Sequence, residues 1–242
     1  MREPPIVLFT DFGWAGPYVG QMTTAIYEHH PTATVVDLMH DAPAMRPDLA
    51  AYLLPAFCRP LPRGTLVVAV VDPGVGSERA ALLVETAALR CVGPDNGLMS
   101  RLPGIRRVER IDWRPARMST SFHGRDLFAP AAALLASRQP LQTTTLPIDS
   151  MVGADWPEQV QRVVYLDAYG NAMTGIHAEK IDIRKMLSVS GQRIAHAETF
   201  SAVPPGQLFW YPNSQGLVEI AANGESAARR LSLAPGDEIL LD

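Results

Sequence analysis

Residues 65–79 read TLVVAVVDPGVGSER. The first seven, Thr65 to Val71, form a run of strand-forming residues without a charge, which predicts a strand. The run ends at Asp72, and a Pro-Gly turn, a second glycine and Arg79 follow. Parallel strands deliver their reactive groups at their carboxyl ends. We therefore expect Asp72 and Arg79 at the mouth of a site, as an oriented base or as a salt bridge that fixes a loop.

The neighbouring segments alternate between strand and helix patterns. Apolar runs predict strands at 6–9, 34–38 and 81–84, and helical periodicity predicts helices over 18–29 and from Pro47 onward. This order is typical of a parallel sheet with crossover helices. We predict an N-terminal α/β domain with a mostly parallel sheet over residues 1–145. Asp126 is expected to cap a further helix, from Leu127 to about Ser137.

A polar, proline-bearing link at residues 139–158 separates this region from a different pattern. Short apolar segments divided by turn residues then predict strands at 160–166, 172–176, 186–189, 208–211, 217–221 and 238–241. We expect a smaller C-terminal antiparallel β domain over residues 158–242.

Charge and composition restrict the partners. The formal net charge is -4, and no sustained basic patch occurs, which argues against nucleic acid. No apolar run is long enough to span a bilayer, and residues 1–5 lack the hydrophobic region of a signal peptide, so we expect no membrane association. Cys58 and Cys91 lack metal-type spacing and are expected to be reduced thiols of a cytoplasmic protein.

Two further polar positions in the first domain have alternative interpretations. Asp11 follows the first strand, where it could accept hydrogen bonds from a ribose diol or cap the next helix. His123 stands between Phe122 and Gly124, just before a predicted helix. It could carry protons near neutral pH, or it could be a packing or capping residue.

The second domain contains an aromatic residue beside a tight turn. Tyr169 and Asn171, with Asp167 before them and Ser214 later, could stack on and hydrogen-bond a purine. Ordinary β-turns would use the same residues. The histidines show no metal spacing and are assigned no metal. The first domain's aspartates nevertheless leave an oxygen-rich metal site open; they are Asp11, Asp37, Asp41 and Asp72.

Seven segments together resemble, in order, those of the S-adenosyl-L-methionine hydroxide adenosyltransferases, which are S-adenosylmethionine hydrolases related to the fluorinase and chlorinase enzymes. The segments are TDFG at 10–13, YVG at 18–20, residues 70–79, PDNG at 94–97, FHGRD at 122–126, Asp167 with YGN at 169–171, and Asn213-Ser214. The resemblance covers nearly the whole chain.

This resemblance implies an N-terminal α/β domain, a C-terminal β domain and a homotrimer that binds substrate at subunit interfaces, without a cofactor. The implied reaction converts S-adenosylmethionine and water into adenosine and methionine. The implied roles are water activation by Asp72, Arg79 and His123, ribose binding by Asp11, adenine contacts from Tyr169 and Asn171, methionine contacts from Asp167 and Ser214, and further substrate contacts from Phe122, Gly124 and Asn223.

One position bears on the reaction type and another on binding of the methionine carboxylate. The fluorinase has a tyrosine in place of Asp72, and a carboxylate would repel a halide but accept water, so the resemblance favours the hydrolase. Gln215 replaces an arginine that helps to hold the methionine carboxylate in the halogenases. Two alternatives stay open, namely a non-catalytic binder of adenosine or S-adenosylmethionine and a metal-dependent nucleotide hydrolase.

Overall fold

The computed structural model describes residues 3–241. Met1, Arg2 and Asp242, which the predicted domain bounds include, lie outside the described residues. The chain forms two compact units, Met1–Trp156 and Pro157–Asp242. Within residues 3–241, no helix combines the length and the apolar character needed to cross a membrane.

A seven-stranded sheet organises the first unit. Its strands are β1 (Ile6–Thr10), β2 (Val35–Met39), β3 (Leu66–Val70), β4 (Ala81–Thr86), β5 (Arg90–Pro94), β6 (Ile105–Ile111) and β7 (Thr143–Leu146), in the spatial order β2-β1-β3-β5-β4-β6-β7. The pairs from β2 to β5 are parallel and the remaining three are antiparallel. Five strands point one way and only β4 and β7 oppose them, so the prediction of a mostly parallel sheet is confirmed.

Both faces of this sheet are covered, which explains the unbroken apolar runs. The helices of the unit are α1 (Tyr18–His29), α2 (Pro47–Cys58) and α3 (Ala129–Ala136). Ile6 and Leu8 share a core cluster with residues of α1 and α3. Val7 and Phe9 point to the opposite face and are equally buried.

Two local predictions in this unit are wrong. Asp126 does not cap a helix, because residues Gly124–Phe128 form a π-helical turn that leads into α3. The Asp126 carboxylate instead accepts hydrogen bonds from the Ser119 N–H at 2.7 Å and from Arg125. The polar link contains a strand, since β7 pairs with β6 at the sheet edge.

The second unit is built from two antiparallel sheets, and the prediction of an antiparallel β domain is confirmed. Its strands are β8 (Val160–Leu166), β9 (Ala172–His177), β10 (Leu187–Val189), β11 (Gln192–Ile194), β12 (Leu208–Pro212), β13 (Leu217–Ala222) and β14 (Leu240–Leu241), in the spatial orders β12-β13-β9-β8 and β11-β10-β14. A short helix, α4 (Ala227–Leu231), and 3₁₀ turns at Ala178–Lys180 and Phe200–Ala202 also belong to this unit, and a further 3₁₀ turn, Ile148–Ser150, lies in the first.

Alternation along β12 and β13 gives the larger sheet of this unit two different faces. Trp210, Val218 and Ile220 belong to the hydrophobic core. Successive strand residues point to opposite faces, so Tyr211 and Glu219 lie on the other face. They form a cross-strand pair in the register of β12 and β13.

Candidate active site

The carboxyl ends of β1 and β3 place two aspartates side by side. Thr10 is paired with Val70 in the parallel register, and Asp11 and Asp72 follow within two residues. The segment after β5 supports this edge, because the Asn96 side-chain amide donates a hydrogen bond to the Val71 carbonyl at 2.8 Å. The register thus brings Asp11, which is predicted to bind the ribose, next to Asp72, which is predicted to activate water.

Asp72 and Arg79 form a bidentate ion pair. The Arg79 Nε donates to Asp72 Oδ1 at 2.7 Å, and its Nη2 donates to Oδ2. The two side chains are 4% and 10% exposed, so water screens the pair weakly. The Arg79 guanidinium also lies over the Phe128 ring, 5.5 Å from its centroid. Arg79 therefore holds the Asp72 carboxylate in one fixed orientation.

His123 completes the set that the sequence predicted. Its Nδ1 lies 3.4 Å from Arg79 Nη2. A guanidinium can only donate, so Nδ1 accepts and the ring proton of the neutral imidazole lies on Nε2. Burial lowers the pKa of His123, and the Arg79 charge lowers it further. Both effects favour the neutral imidazole.

A glycine permits the close contact between the two segments that carry this set. Gly76 has a φ of +84°, and a Cβ there would lie 2.5 Å from the Thr120 carbonyl oxygen. Any side chain at position 76 would push residues 72–79 away from the segment that precedes His123. The glycine thus serves packing between protein segments.

Asp11 is held by the backbone of a strained residue. Its Oδ2 accepts a hydrogen bond from the Met45 N–H at 2.9 Å, and Met45 has a φ of +60°. Burial raises the pKa of Asp11, the Met45 N–H opposes this shift, and the charge of Asp72 adds to it. Positive φ in a non-glycine residue is frequent at ligand sites.

A chain of hydrogen bonds that the sequence did not reveal fixes the loop around Asp11. The Thr10 hydroxyl lies 2.8 Å from His40 Nδ1, and His40 Nε2 lies 3.1 Å from Asp37 Oδ1. The His40 carbonyl accepts from the Gly13 N–H at 2.6 Å. These bonds tie the ends of β1 and β2 together on both sides of Asp11.

The second unit contains a cavity of about 760 Å³ over the sheet face that carries Tyr211 and Glu219. The loop between β8 and β9 supplies Asp167, Tyr169 and Asn171 to it, and Ser214 comes from the β12–β13 turn. Asp167 shapes its own loop, because Oδ1 accepts from the N–H groups of Tyr169 and Asn171 at 2.9 and 2.8 Å. Four predicted substrate contacts therefore line one cavity.

Sequence analysis missed several further lining residues, including Tyr211, Glu219 and Arg229. Tyr211 and Glu219 project into the cavity from neighbouring strands, and Arg229 reaches it from α4. The one available signal was the lone glutamate in the apolar run LVEIAA at 217–222. The other two depend on strand register and on where α4 packs.

The other predicted substrate contacts include residues that bond to or pack against other parts of the protein. Asn223 donates its side-chain amide to the Val203 carbonyl at 2.8 Å. Gly124 is buried, and a Cβ there would meet the Phe12 and Phe122 rings at 3.2 Å. The Ser214 hydroxyl donates to Gln215 Oε1 at 2.9 Å. Their roles toward a substrate stay predictions.

The four aspartates that suggested a metal site do not form a ligand group of three or more. In the part of the chain that the structure describes, no group of three or more His, Cys, Asp or Glu residues could hold a metal ion. Asp72 is paired with Arg79, and Asp37 with His40. The metal-dependent alternative therefore has no candidate ligand set among residues 3–241.

Comparison with known families covers both units. The model of the SAM hydroxide adenosyltransferase N-terminal domain matches residues 6–145, and that of the C-terminal domain matches residues 161–240. The chain belongs to the SAM hydroxide adenosyltransferase family. This membership was predicted from the seven motifs and is confirmed.

Individual proteins also resemble the chain over its full length. A relative from Salinispora arenicola, named (R)-S-adenosyl-L-methionine hydrolase, is 35% identical across 99% of this chain and 98% of its own. A relative of the same name from Thermus thermophilus is also 35% identical, across 98% and 99%. A solved structure from Thermotoga maritima, described as an uncharacterized conserved protein, has a TM-score of 0.87 at 30% identity and covers 98% of this chain and 99% of that one.

Proposed function

We propose that this protein hydrolyses S-adenosyl-L-methionine to adenosine and L-methionine. The proposal rests on one observation: Arg79 contacts both Asp72 and His123, and Asp11 lies near Asp72. The names of the full-length relatives support the same reaction. Those names specify the R configuration at sulfur, and we propose the same configuration for the substrate of this chain.

The reaction needs help with its nucleophile more than with its leaving group. The sulfonium departs as a neutral thioether when the C5′–S electron pair moves to sulfur, so no general acid is required. Water is a weak nucleophile and must lie in line behind the ribose C5′. As the C5′–O bond forms, the attacking oxygen becomes positively charged and its protons become strongly acidic. A weak base close to that oxygen is therefore sufficient.

We assign the water contact to Asp72. Arg79 occupies one direction at each carboxylate oxygen, and each oxygen keeps further lone-pair capacity for a water proton. His123 contributes its Nε2–H, the free donor of the tautomer that Arg79 selects. Asp11 accepts hydrogen bonds from the ribose hydroxyls. Tyr169 and Asn171 recognise the adenine, and Asp167 and Ser214 bind the methionine part, with Arg229 as a cation for its carboxylate.

We further propose that the working form is a homotrimer with substrate at subunit interfaces. Large apolar side chains support this, because Trp14 and Met45 are 62% and 63% exposed next to the loop of Asp11. Three subunits of 26.3 kDa would give a mass of about 79 kDa by light scattering. A cytoplasmic setting is proposed from the two buried free thiols, Cys58 and Cys91.

The activity test is adenosine formation from S-adenosylmethionine in buffer containing a chelator. We expect adenosine from the wild-type protein and at least a roughly 100-fold lower rate from Asp72→Asn. Binding without turnover would favour the non-catalytic binder. Activity that disappears with the chelator and returns with a divalent metal would favour the metal-dependent hydrolase.

A further inference from the structure

Glu219 is a buried carboxylate to which the proposed reaction assigns no role. It is 2% exposed and lines the cavity of the second unit. Its Oε1 accepts from the Tyr211 hydroxyl at 2.6 Å, and its Oε2 accepts from the Asn213 amide at 2.8 Å. Both donors are neutral, so these two bonds hold the Glu219 carboxylate in place without balancing its charge, and each oxygen keeps further lone-pair capacity.

A second carboxylate, that of Asp167, lies near Glu219. Burial raises the pKa of Glu219, the hydrogen bonds from Tyr211 and Asn213 oppose this shift, and the charge of Asp167 adds to it. Among the described residues, Glu219 has no cationic ion-pair partner. The other charged groups of the cavity lining are Glu225, which pairs with Arg230 at 3.5 Å, and Arg229.

The charged groups of the proposed substrate can be matched to those of the cavity. S-adenosylmethionine carries an ammonium, a carboxylate and a sulfonium. The corresponding thioether carries the ammonium and the carboxylate, but its sulfur is neutral. Asp167 and Arg229 match the ammonium and the carboxylate. The charge of Glu219 is then left for the sulfonium, and charges interact more strongly in a partly buried cavity than in water.

We propose that Glu219 is a specificity-determining residue that selects ligands with a positive charge at the sulfur position. The inference rests on the proposed function, since it assigns the cavity to S-adenosylmethionine. It predicts that the cavity discriminates between the sulfonium and a neutral thioether of nearly the same shape.

Two stable probes isolate this charge. Sinefungin carries a protonated amine in place of the sulfonium, and S-adenosyl-L-homocysteine carries a neutral thioether, while both keep the adenosine, the ammonium and the carboxylate. Calorimetry on the full-length protein should show sinefungin binding at least about tenfold more tightly, which corresponds to ~1.4 kcal/mol. Equal affinities in the wild-type protein would overturn the inference without any variant.

Glu219→Gln removes the charge and retains the shape. The carbonyl of the introduced amide can accept from Asn213, and its NH₂ group can donate to the Tyr211 hydroxyl, which also accepts. We expect the preference for sinefungin to fall to within about threefold of unity. The matched control is Tyr211→Phe, which removes one hydrogen bond but leaves the carboxylate, and which should keep a clear preference.

The outcomes separate a charge effect from a structural one. If Glu219→Gln weakens both ligands equally, or keeps the preference, or if Tyr211→Phe loses it to the same extent, the inference is wrong. Failure of wild-type protein to bind either probe would overturn both the inference and the assignment of the cavity. Loss of adenosine formation with an intact preference would overturn only the proposed reaction.

Discussion

Gly76→Ala is the substitution for which the structure gives the clearest magnitude. An alanine at a φ of +84° adopts the left-handed region, which costs ~1–2 kcal/mol. Its Cβ would lie 2.5 Å from the Thr120 carbonyl oxygen, whereas real Cβ contacts stay above 3.0 Å, so the two segments must separate by at least 0.5 Å.

This separation acts directly on the contacts that are proposed to be catalytic. The distance between Arg79 Nη2 and His123 Nδ1 is already 3.4 Å, close to the limit of a hydrogen bond. A misplacement of 1 Å can cost about 100-fold in rate, so half of that shift corresponds to roughly tenfold in kcat. The unfolding temperature should fall by roughly 2–8 °C.

The assay is steady-state adenosine formation by chromatography, with thermal unfolding measured on the same samples. Gly74→Ala is the control from the same loop. Its Cβ would meet Ser77 Oγ at 3.6 Å and Asp72 Oδ1 at 3.8 Å, which are ordinary contacts. We expect near wild-type kcat for this variant. Wild-type kcat for Gly76→Ala, or an equal loss for Gly74→Ala, would refute the reasoning.

Three further predictions concern single side chains. Neutral His123 accepts a hydrogen bond from Arg79, and the pKa of His123 lies below the ordinary histidine value of 6.5. We therefore expect kcat to stay constant as the pH falls to 6.5 and to drop only at lower pH. A pH–kcat profile that already falls above pH 6.5 would contradict this. Tyr169→Ala should raise KM about 2- to 10-fold through lost stacking, without lowering the unfolding temperature, because Tyr169 is 81% exposed. Arg229→Ala should raise KM about tenfold, and calorimetry should show unchanged binding of 5′-methylthioadenosine, which lacks the carboxylate.

The parts of the fold that could be predicted are those with a local pattern. Strand β3 lies within one residue of its predicted ends, and α1 has its predicted ends, because continuous burial and helical periodicity are visible in the chain. Strands β5, β6, β7 and β11 were not predicted. The sequences of β5 and β6, RCVGP and IRRVERI, contain charges or turn residues, and their pairing is decided by distant partners.

The candidate site shows the same difference between residues with a local sequence pattern and residues whose contacts depend on distant parts of the chain. Asp72 and Arg79 could be predicted because both lie in one short segment, directly after a strand and its turn. The contact from Arg79 to His123 spans 44 residues, and only the family resemblance suggested it. Glu219 was missed because its direction into the cavity depends on the register between β12 and β13. Sequence patterns thus identified residues near strand ends better than residues within strands.

The central claim is that water attacks the ribose C5′ in a site organised by Asp72. Its most direct test is a reaction in water enriched in ¹⁸O, with both products analysed by mass spectrometry. We predict one ¹⁸O atom in adenosine and none transferred to methionine by the reaction, with the rate largely lost in Asp72→Asn. Adenosine without label, or undiminished labelling in Asp72→Asn, would contradict the account.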